Sequence, residues 1–292
     1  MVSAKSKMDM SGAVWLSFFS FLLACNQVVI KLTSSGLQPV FMASLRSFLA
    51  LLVLALWMRW KNIPLLPQRH NYVSAAVMGF LFYFEFVLLF QALDLTTVSR
   101  ASVLFYTMPI WLAICAHFLL PNERLTPLRL LGLILAILGV ILAFLDRSNE
   151  GSSSLTGDIM ALVAAFGWAG IALCARLTRI SEEPAETVLF AQLLFSGPAL
   201  LFTAFFFGPL VREIGASQGL GLLFQVFVAS YGFLLWFKLI GIYEASSVAS
   251  FSFLAPVLSV GLGWLILSEQ AGLNLLFALI CVALGLILIN RK

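Results

Sequence analysis

The chain has 292 residues, of which 62% are hydrophobic and 10% are charged, and its formal net charge is +4. A soluble domain is about 45–50% apolar and about 25% charged, so this composition excludes a soluble protein and indicates an integral membrane protein. The length suits one compact bundle of membrane spans rather than several soluble domains.

Ten apolar stretches are long enough to cross a bilayer, which takes about 20 mainly apolar residues. The short connections between them hold most of the Gly, Pro, Asn and charged residues, as helix ends require. The predicted spans cover residues 12–31, 40–59, 72–92, 99–119, 127–145, 156–176, 186–207, 219–240, 246–267 and 271–289. The predicted fold class is therefore an all-α membrane protein with ten transmembrane helices.

The second half of the chain repeats the layout of the first half at shifts of 145 to 147 residues. The informative matches are Pro39 with Pro184, Pro109 with Pro256, Glu123 with Glu269 and Gly139 with Gly285. We predict one five-helix repeat over residues 1–147 and a second over residues 148–292. Because five is odd, the second repeat enters the membrane from the opposite face. Such inverted repeats are common in secondary transporters.

The distribution of Lys and Arg predicts the orientation, because short cytoplasmic loops are enriched in both residue types. If the N-terminus is cytoplasmic, most of the 17 Lys and Arg residues lie at the inner ends of the spans. Both termini are then cytoplasmic. The positive net charge is explained by topology, and we expect no nucleic-acid partner.

Sequence motifs for enzymes and cofactors are missing from the chain. The four cysteines have neither metal-ligand nor disulfide spacing, and no GxxxxGK[ST] nucleotide loop occurs. An intramembrane enzyme would need paired acids or a Ser/His arrangement within the spans, and neither is present. We therefore expect no catalytic residue, no metal and no cofactor.

Two stretches carry a family resemblance. The segment Ser44–Leu49, with Arg46, resembles the arginine-phenylalanine-leucine start of helix two in the drug/metabolite transporter superfamily. The segment Asn122–Thr126 is similar to the glycine-glutamate-x-leucine corner that closes helix four there, although Asn122 replaces the usual glycine. The resemblance covers about residues 12–289. It implies a ten-helix carrier of the EamA type in a bacterial inner membrane, monomeric or homodimeric among lipids, and most like aromatic amino-acid exporters.

Arg46 and Glu85 are charged residues inside predicted spans, where a charge is usually paired or faces a polar cavity. At about 1.5 Å per residue, Arg46 lies roughly 9 Å and Glu85 roughly 10 Å below the outer ends of spans two and three. We therefore expect the two charges to be neighbours. They form either a structural ion pair or a site in which Arg46 holds a substrate carboxylate and Glu85 an amino group or a proton.

Asn26, Tyr83, Tyr106 and Trp168 are further candidates for substrate binding. Asn26 lies within span one, where an asparagine binds a ligand or joins two helices by a hydrogen bond. Tyr83 and Glu85 point about 200° apart around one helix, so at most one of them lines a central cavity. Trp168 lies between two glycines, where helices approach closely or a cavity opens. A cavity with aromatic walls, one acid and one base suits a zwitterion with an apolar side chain.

Pro109 and Pro256 occupy matching positions in spans four and nine and remove backbone hydrogen bonds there. We expect kinks at both prolines, which serve as hinges for alternating access or as static bends. Glu123 and Glu269 are expected to cap or pin helix ends. The small residues of spans four and nine favour close contact, either within one bundle or between two copies.

These features predict a secondary transporter that moves a small molecule by alternating access. The predicted substrates are amino acids, aromatic ones among them, or similar small metabolites, exported across the inner membrane. Coupling to an ion or proton gradient and facilitated diffusion both remain open. The alternative function is a flippase for a lipid-linked sugar or lipid, which the same fold accommodates.

Overall fold

The computed structural model of the chain describes residues 9–119, 125–146, 154–243, 251 and 253–290. The helices of the first half are α1 (Met10–Thr33), α2 (Pro39–Lys61), α3 (Tyr72–Leu95), α4 (Val98–Phe105), α5 (Met108–Leu119) and α6 (Pro127–Leu145). Those of the second half are α7 (Leu155–Leu177), α8 (Ala185–Ala204), α9 (Ala216–Phe227), α10 (Phe233–Ile242), α11 (Leu254–Leu267) and α12 (Leu273–Asn290). A π-helical turn, Val228–Gly232, joins α9 to α10.

Helix boundaries follow local sequence signals. Asp9, Thr97 and Ser154 cap α1, α4 and α7, because each side chain accepts a hydrogen bond from a backbone N–H of the first turn. Asn62 and Ser268 end α2 and α11 in the left-handed conformation, with φ of 55° and 54°.

Eight helical stretches are long and apolar enough to cross a membrane, and α11 and α12 are two shorter apolar helices. The prediction of an all-α protein with ten membrane helices is confirmed. Residues 246–250, where the ninth predicted span begins, lie outside the described residues. In the described ranges, the only strand-like pairing is a single bridge between Leu37 and Val211.

The two halves cross at small residues of α6 and α12. A Cβ added to Gly139 would lie 2.8 Å from the Ala278 carbonyl oxygen, and one added to Gly285 would lie 2.6 Å from the Gly132 carbonyl oxygen. The repeat relates these contacts to each other, because Gly139 corresponds to Gly285 and Gly132 to Ala278. The crossing thus has the two-fold pseudo-symmetry of an inverted repeat. The exact boundary between residues 147 and 148 lies outside the described residues and stays a prediction.

Helices of the two halves interleave around the middle of the bundle. Helix α3 packs against α7 and α8, α1 against α9 and α11, and α2 against α8. Helix α4 contacts α11 within one chain, and a Cβ added to Gly263 of α11 would lie 2.8 Å from the Ser99 hydroxyl of α4. One hydrophobic core runs through both halves as a result.

Polar contacts join the halves at the face where α1 ends and α2 begins, which we call the outer face after the predicted orientation. Arg100 of α4 donates from Nε to the two carboxylate oxygens of Asp158 at 3.2 and 3.1 Å, and from Nη2 to the same carboxylate. Its Nη1 donates to the carbonyl oxygen of Asp146. The Thr96 hydroxyl donates to Asp158 at 2.7 Å. These buried contacts tie α4 and α6 to α7.

Glu269, which follows α11, fixes the start of α4 at the same face. Its carboxylate accepts hydrogen bonds from the N–H groups of Val98 and Ser99 at 2.7 and 2.9 Å, and from the Ser99 hydroxyl at 2.6 Å. The prediction that Glu269 caps a helix end is confirmed. Its repeat partner Glu123, with the whole corner at residues 122–124, lies outside the described residues.

Candidate functional site

The fourth membrane span is broken near its middle. Helix α4 ends at Phe105, Tyr106 and Thr107 form a turn, and α5 begins at Met108. Pro109 has no N–H with which to continue the helix, so the kink predicted there is a complete break. The Thr107 hydroxyl closes the turn by donating to the Leu104 carbonyl oxygen at 2.5 Å.

Pro256 lies in the first turn of α11 and is buried. Pro109 occupies the corresponding position in α5, as the repeat predicts. The break in span four thus lies directly before Pro109. Most residues that precede Leu254 and Pro256 in span nine lie outside the described part of the chain. A hinge role for Pro109 and Pro256 stays a prediction.

Aromatic rings surround the break. The Trp168 ring of α7 stacks on Phe105, with centroids 5.1 Å apart and planes at 19°. It meets Tyr106 edge-on at 6.0 Å. The Tyr106 side chain is buried, and the Gln27 carboxamide of α1 lies close to its hydroxyl. The Ser102 hydroxyl donates to the Gln27 Oε1, so α1, α4 and α7 share this position.

Glu85 reaches the same position from α3. A Cβ added to Gly167 would lie 3.0 Å from the Glu85 Cβ, so the missing side chain at Gly167 is what lets α3 and α7 come together here. Glu85 is only 5% exposed. Among the described residues, no group donates a hydrogen bond to its carboxylate. A buried carboxylate without protein partners is costly and marks a functional position.

Arg46 is the second buried charge, at 1% exposure. Its guanidinium carbon lies 4.1 Å from the Phe86 ring centroid and 4.9 Å from that of Phe90, both on α3. Its Nε and Nη2 atoms have no hydrogen-bond partner. The guanidinium therefore lies between aromatic faces with two N–H directions free for a ligand.

Arg46 and Glu85 interact electrostatically, but no direct ion pair joins them among the described residues, so the structural pair considered from the sequence is not observed. The reason is direction around α3. The Arg46 guanidinium packs on Phe86 and Phe90, which share one face of α3. Glu85 directly precedes Phe86 and points about 100° away from it around the helix.

The remaining candidates occupy different positions. Asn26 is 9% exposed, and its Oδ1 has no partner. The Tyr83 hydroxyl shares a 2.8 Å hydrogen bond with the Thr203 hydroxyl of α8, so Tyr83 points away from the break. The structure thus brings together Glu85, Tyr106 and Trp168, and places the Arg46 guanidinium on the Phe86 and Phe90 face of α3.

Four residues of this site were missed by sequence reasoning, and they are Gln27, Phe86, Phe90 and Phe105. Gln27 follows Asn26 directly and is the one of the two whose carboxamide meets α4. The phenylalanines carried no usable signal, because the chain holds 27 of them. A spacing of four residues between Phe86 and Phe90 places them on one helix face.

Comparisons with known proteins agree with this architecture. The model of a family described as the EamA-like transporter family matches the chain twice, over residues 10–145 and 155–291. The uncharacterized transporter YoaV of Bacillus subtilis is 26% identical over 263 residues, which cover 89% of each chain. A probable amino-acid metabolite efflux pump of Salmonella typhimurium is 27% identical over 268 residues, 88% of each chain. A crystal structure superposes with a TM-score of 0.69 over 97% of this chain and 96% of that chain, at 20% identity, which shows a shared fold.

Proposed function

Because this chain belongs to the EamA-like transporter family, we propose that it exports amino acids with apolar side chains, aromatic ones among them, from the cytoplasm. The observation that carries the proposal is the pair of buried charges Arg46 and Glu85, which are not joined by a direct ion pair among the described residues, and of which Arg46 has two nitrogens without a hydrogen-bond partner. An acid and a base that lie near each other without direct contact are together complementary to a zwitterion. The name of the Salmonella relative supports the same substrate class.

The charges supply the recognition of the amino-acid backbone. Removing an ion from water costs several kcal/mol, and an ion that lacks a partner in the protein recovers little of this cost until a ligand binds. A substrate carboxylate at the free Arg46 N–H groups gains charge-assisted hydrogen bonds. A substrate ammonium group gains charge-assisted hydrogen bonds by donating to the Glu85 carboxylate.

The aromatic rings supply the recognition of the side chain. Trp168, Phe105 and Tyr106 form a stacked cluster beside Glu85. Flat apolar walls favour apolar and aromatic side chains by burial and by ring contacts of about 0.5–1.5 kcal/mol each. A lipid-linked neutral sugar offers neither an ammonium group nor an aromatic ring to these groups.

Transport by alternating access requires the halves to separate at one face at a time. The outer face is joined across the halves by Arg100 with Asp158 and by Glu269 with the start of α4. These contacts must break for release to the outside. We place both termini in the cytoplasm of a bacterial inner membrane, following the Lys and Arg distribution.

The test is uptake of radiolabelled L-phenylalanine and L-leucine into liposomes that hold the purified protein, with and without a pH gradient. We expect uptake above empty liposomes, and a decrease of about tenfold or more in Arg46→Gln and in Glu85→Gln, since each loses a charge-assisted contact. Glu182→Gln removes an exposed carboxylate in the 3₁₀ turn that follows α7 and is the matched control.

If no amino acid enters while the variants and the parent protein remain folded, the amino-acid function is wrong, and a lipid-linked substrate is tested next. If amino acids enter equally well with all three variants, the site is wrong but the substrate class is not. Dependence on the pH gradient that disappears in Glu85→Gln assigns proton coupling to that carboxylate.

A further inference from the structure

The break in span four leaves two backbone carbonyl groups without partners. The Phe105 carbonyl would normally bind the N–H four residues later, but that residue is Pro109. The Ile110 N–H donates to the Thr107 carbonyl at 2.8 Å instead of the Tyr106 carbonyl. Among the described residues, nothing donates a hydrogen bond to the carbonyl oxygen of Phe105 or of Tyr106.

A backbone carbonyl without a hydrogen-bond partner raises the free energy of the folded protein at this depth. No water is available in the bilayer core, so irregular backbone is tolerated only where it is buried in protein or lines a cavity. Phe105 and Tyr106 are 5% and 4% exposed. These carbonyls also form the C-terminal end of α4, where the aligned peptide dipoles concentrate negative partial charge.

The Glu85 carboxylate adds to this negative region. Gly167 touches Glu85, and the adjacent Trp168 stacks on Phe105, so the carboxylate and the break belong to one interior position. Among the described residues, Arg46 is the buried cation closest to this position along α3, but it packs on Phe86 and Phe90 and forms no direct ion pair with Glu85. In the described part of the chain, the two carbonyl groups at the end of α4 and the Glu85 carboxylate therefore accept no hydrogen bond, and Arg46 acts on the carboxylate only through space.

We propose that the span-four break is a cation subsite, in which the Phe105 and Tyr106 carbonyls and the Glu85 carboxylate bind a small monovalent cation. The cation is the substrate's primary ammonium group or, when substrate is absent, a sodium ion. This inference rests on the proposed function for the ammonium group but not for the sodium ion. Oxygen ligands of this kind, from unwound backbone and a carboxylate, suit both ions.

Sharing one subsite makes the two cations compete. A carrier that reorients with either cation bound, but not with the subsite empty, exchanges external sodium for internal amino acid. The subsite thereby provides a means of driving export that needs no second ion site.

Pro109→Ala tests the carbonyls without touching a side chain of the site. It restores an N–H that can donate to the Phe105 carbonyl, which removes one cation ligand. Pro256→Ala makes the same change at the corresponding position of the other repeat and is the matched control. Folding of both variants is verified by their elution as single species and by their melting curves.

The first measurement is the melting temperature of the purified protein in sodium chloride against choline chloride, with no amino acid present. We expect sodium to raise it in the parent protein and in Pro256→Ala, and to have no effect in Pro109→Ala and Glu85→Gln. Stabilisation by ligand follows the free energy of binding, so this result reports sodium binding directly. Equal sodium effects in all four proteins, or none in the parent, would overturn the sodium part of the proposal.

The second measurement compares the binding of L-phenylalanine with that of 3-phenylpropionate, which lacks only the ammonium group. The parent protein and Pro256→Ala should prefer the amine by about tenfold or more, and Pro109→Ala should lose most of that preference. A hinge role alone changes transport rates but leaves this equilibrium ratio intact. An unchanged ratio in Pro109→Ala would overturn the role of the carbonyls.

The outcomes separate this proposal from the proposed function. If sodium stabilises the protein as expected but neither phenylalanine nor its analogue binds, the cation subsite stands and the aromatic amino-acid substrate is wrong. If phenylalanine is transported but its ammonium group contributes nothing to affinity, the function stands and the subsite is wrong.

Discussion

Two buried arginines of this protein differ in what surrounds them. Arg100, at the outer face, is 4% exposed and donates hydrogen bonds from Nε, Nη1 and Nη2 to Asp158 and Asp146. Arg46, deeper in the bundle, is 1% exposed, and its Nε and Nη2 have no partner. The guanidinium of Arg100 thus donates hydrogen bonds from all three nitrogens, whereas two nitrogens of the Arg46 guanidinium donate none.

The difference separates structural from functional use of a buried charge. A buried pair with good geometry is retained because removal of either partner leaves an uncompensated ion, which costs about 3–5 kcal/mol. A buried charge without hydrogen bonds contributes no such stabilisation to the folded state. Arg100 therefore belongs to the framework that joins the halves, whereas Arg46 is available for a ligand. The predictions for Asp158 and Arg46 below test this distinction through the free energy of unfolding, and those for Glu269 and Glu183 use the same measurement on other polar contacts.

The largest effect is expected for Asp158→Asn. The change keeps the shape of the side chain but leaves the buried Arg100 charge with the Asp146 carboxylate alone, at 3.5 Å, so we expect a loss of about 3 kcal/mol, the low end of the cost of breaking a buried ion pair. Chemical denaturation in detergent, followed by tryptophan fluorescence, measures it. Asp94→Asn is the control, because the Asp94 pair with Arg212 is partly exposed and should cost about 0–1 kcal/mol. Equal losses for the two variants would break the comparison.

A smaller effect is expected for Glu269→Gln. The Glu269 carboxylate accepts three hydrogen bonds from Val98 and Ser99, and an amide in its place offers one oxygen and one NH₂ group. At least one buried N–H of α4 then loses its acceptor, which costs about 1–3 kcal/mol. The same denaturation measurement checks it. A variant as stable as the parent protein would show that the start of α4 does not depend on this cap.

The number and order of the helices could be predicted from the sequence, but the polar contacts at the outer face could not. In an apolar chain, rare residues such as Pro109, Pro256 and Gly139 keep their spacing between repeats, so helix number and the inverted repeat could be read directly. Arg100 lies at the outer end of the predicted span 99–119, where a charged residue is not unusual. Its partner Asp158 lies in the other repeat, and no local pattern connects two such positions.

The site was predictable only where residue types were rare. Glu85 and Arg46 stood out because charges inside spans are costly, and Trp168 because glycines flank it. The absence of a direct ion pair between them was not predictable, because the guanidinium packs on Phe86, which points about 100° away from Glu85 around α3. Phe86 and Phe90 could not be chosen among so many phenylalanines, because the sequence does not reveal which helix faces the guanidinium.

A still smaller effect is expected from the pH dependence of Glu183, at the inner face. Hydrogen bonds from the Asn71 amide and then from the Gln68 N–H hold the pKa of the Glu183 carboxyl below its ordinary value. Its stabilisation is therefore present above the unfolded-state pKa of about 4.3 and is lost as the pH falls through the lower folded-state pKa. Glu183→Gln cannot titrate, so its unfolding free energy should decline less on the acid side. Parallel pH profiles for parent and variant would contradict this.

The sharpest prediction is the absence of an effect on stability. Arg46→Met replaces a guanidinium that has two unbonded nitrogens with an apolar side chain that keeps contact with Phe86 and Phe90. Exchange of buried ions for well-packed apolar groups is often neutral or stabilising, so the free energy of unfolding should not fall. Amino-acid uptake should nevertheless be lost, because the substrate carboxylate has no counter-charge. If Arg46→Met destabilises the protein as much as Asp158→Asn does, the two arginines have the same structural role, and the free N–H groups of Arg46 are no sign of a ligand.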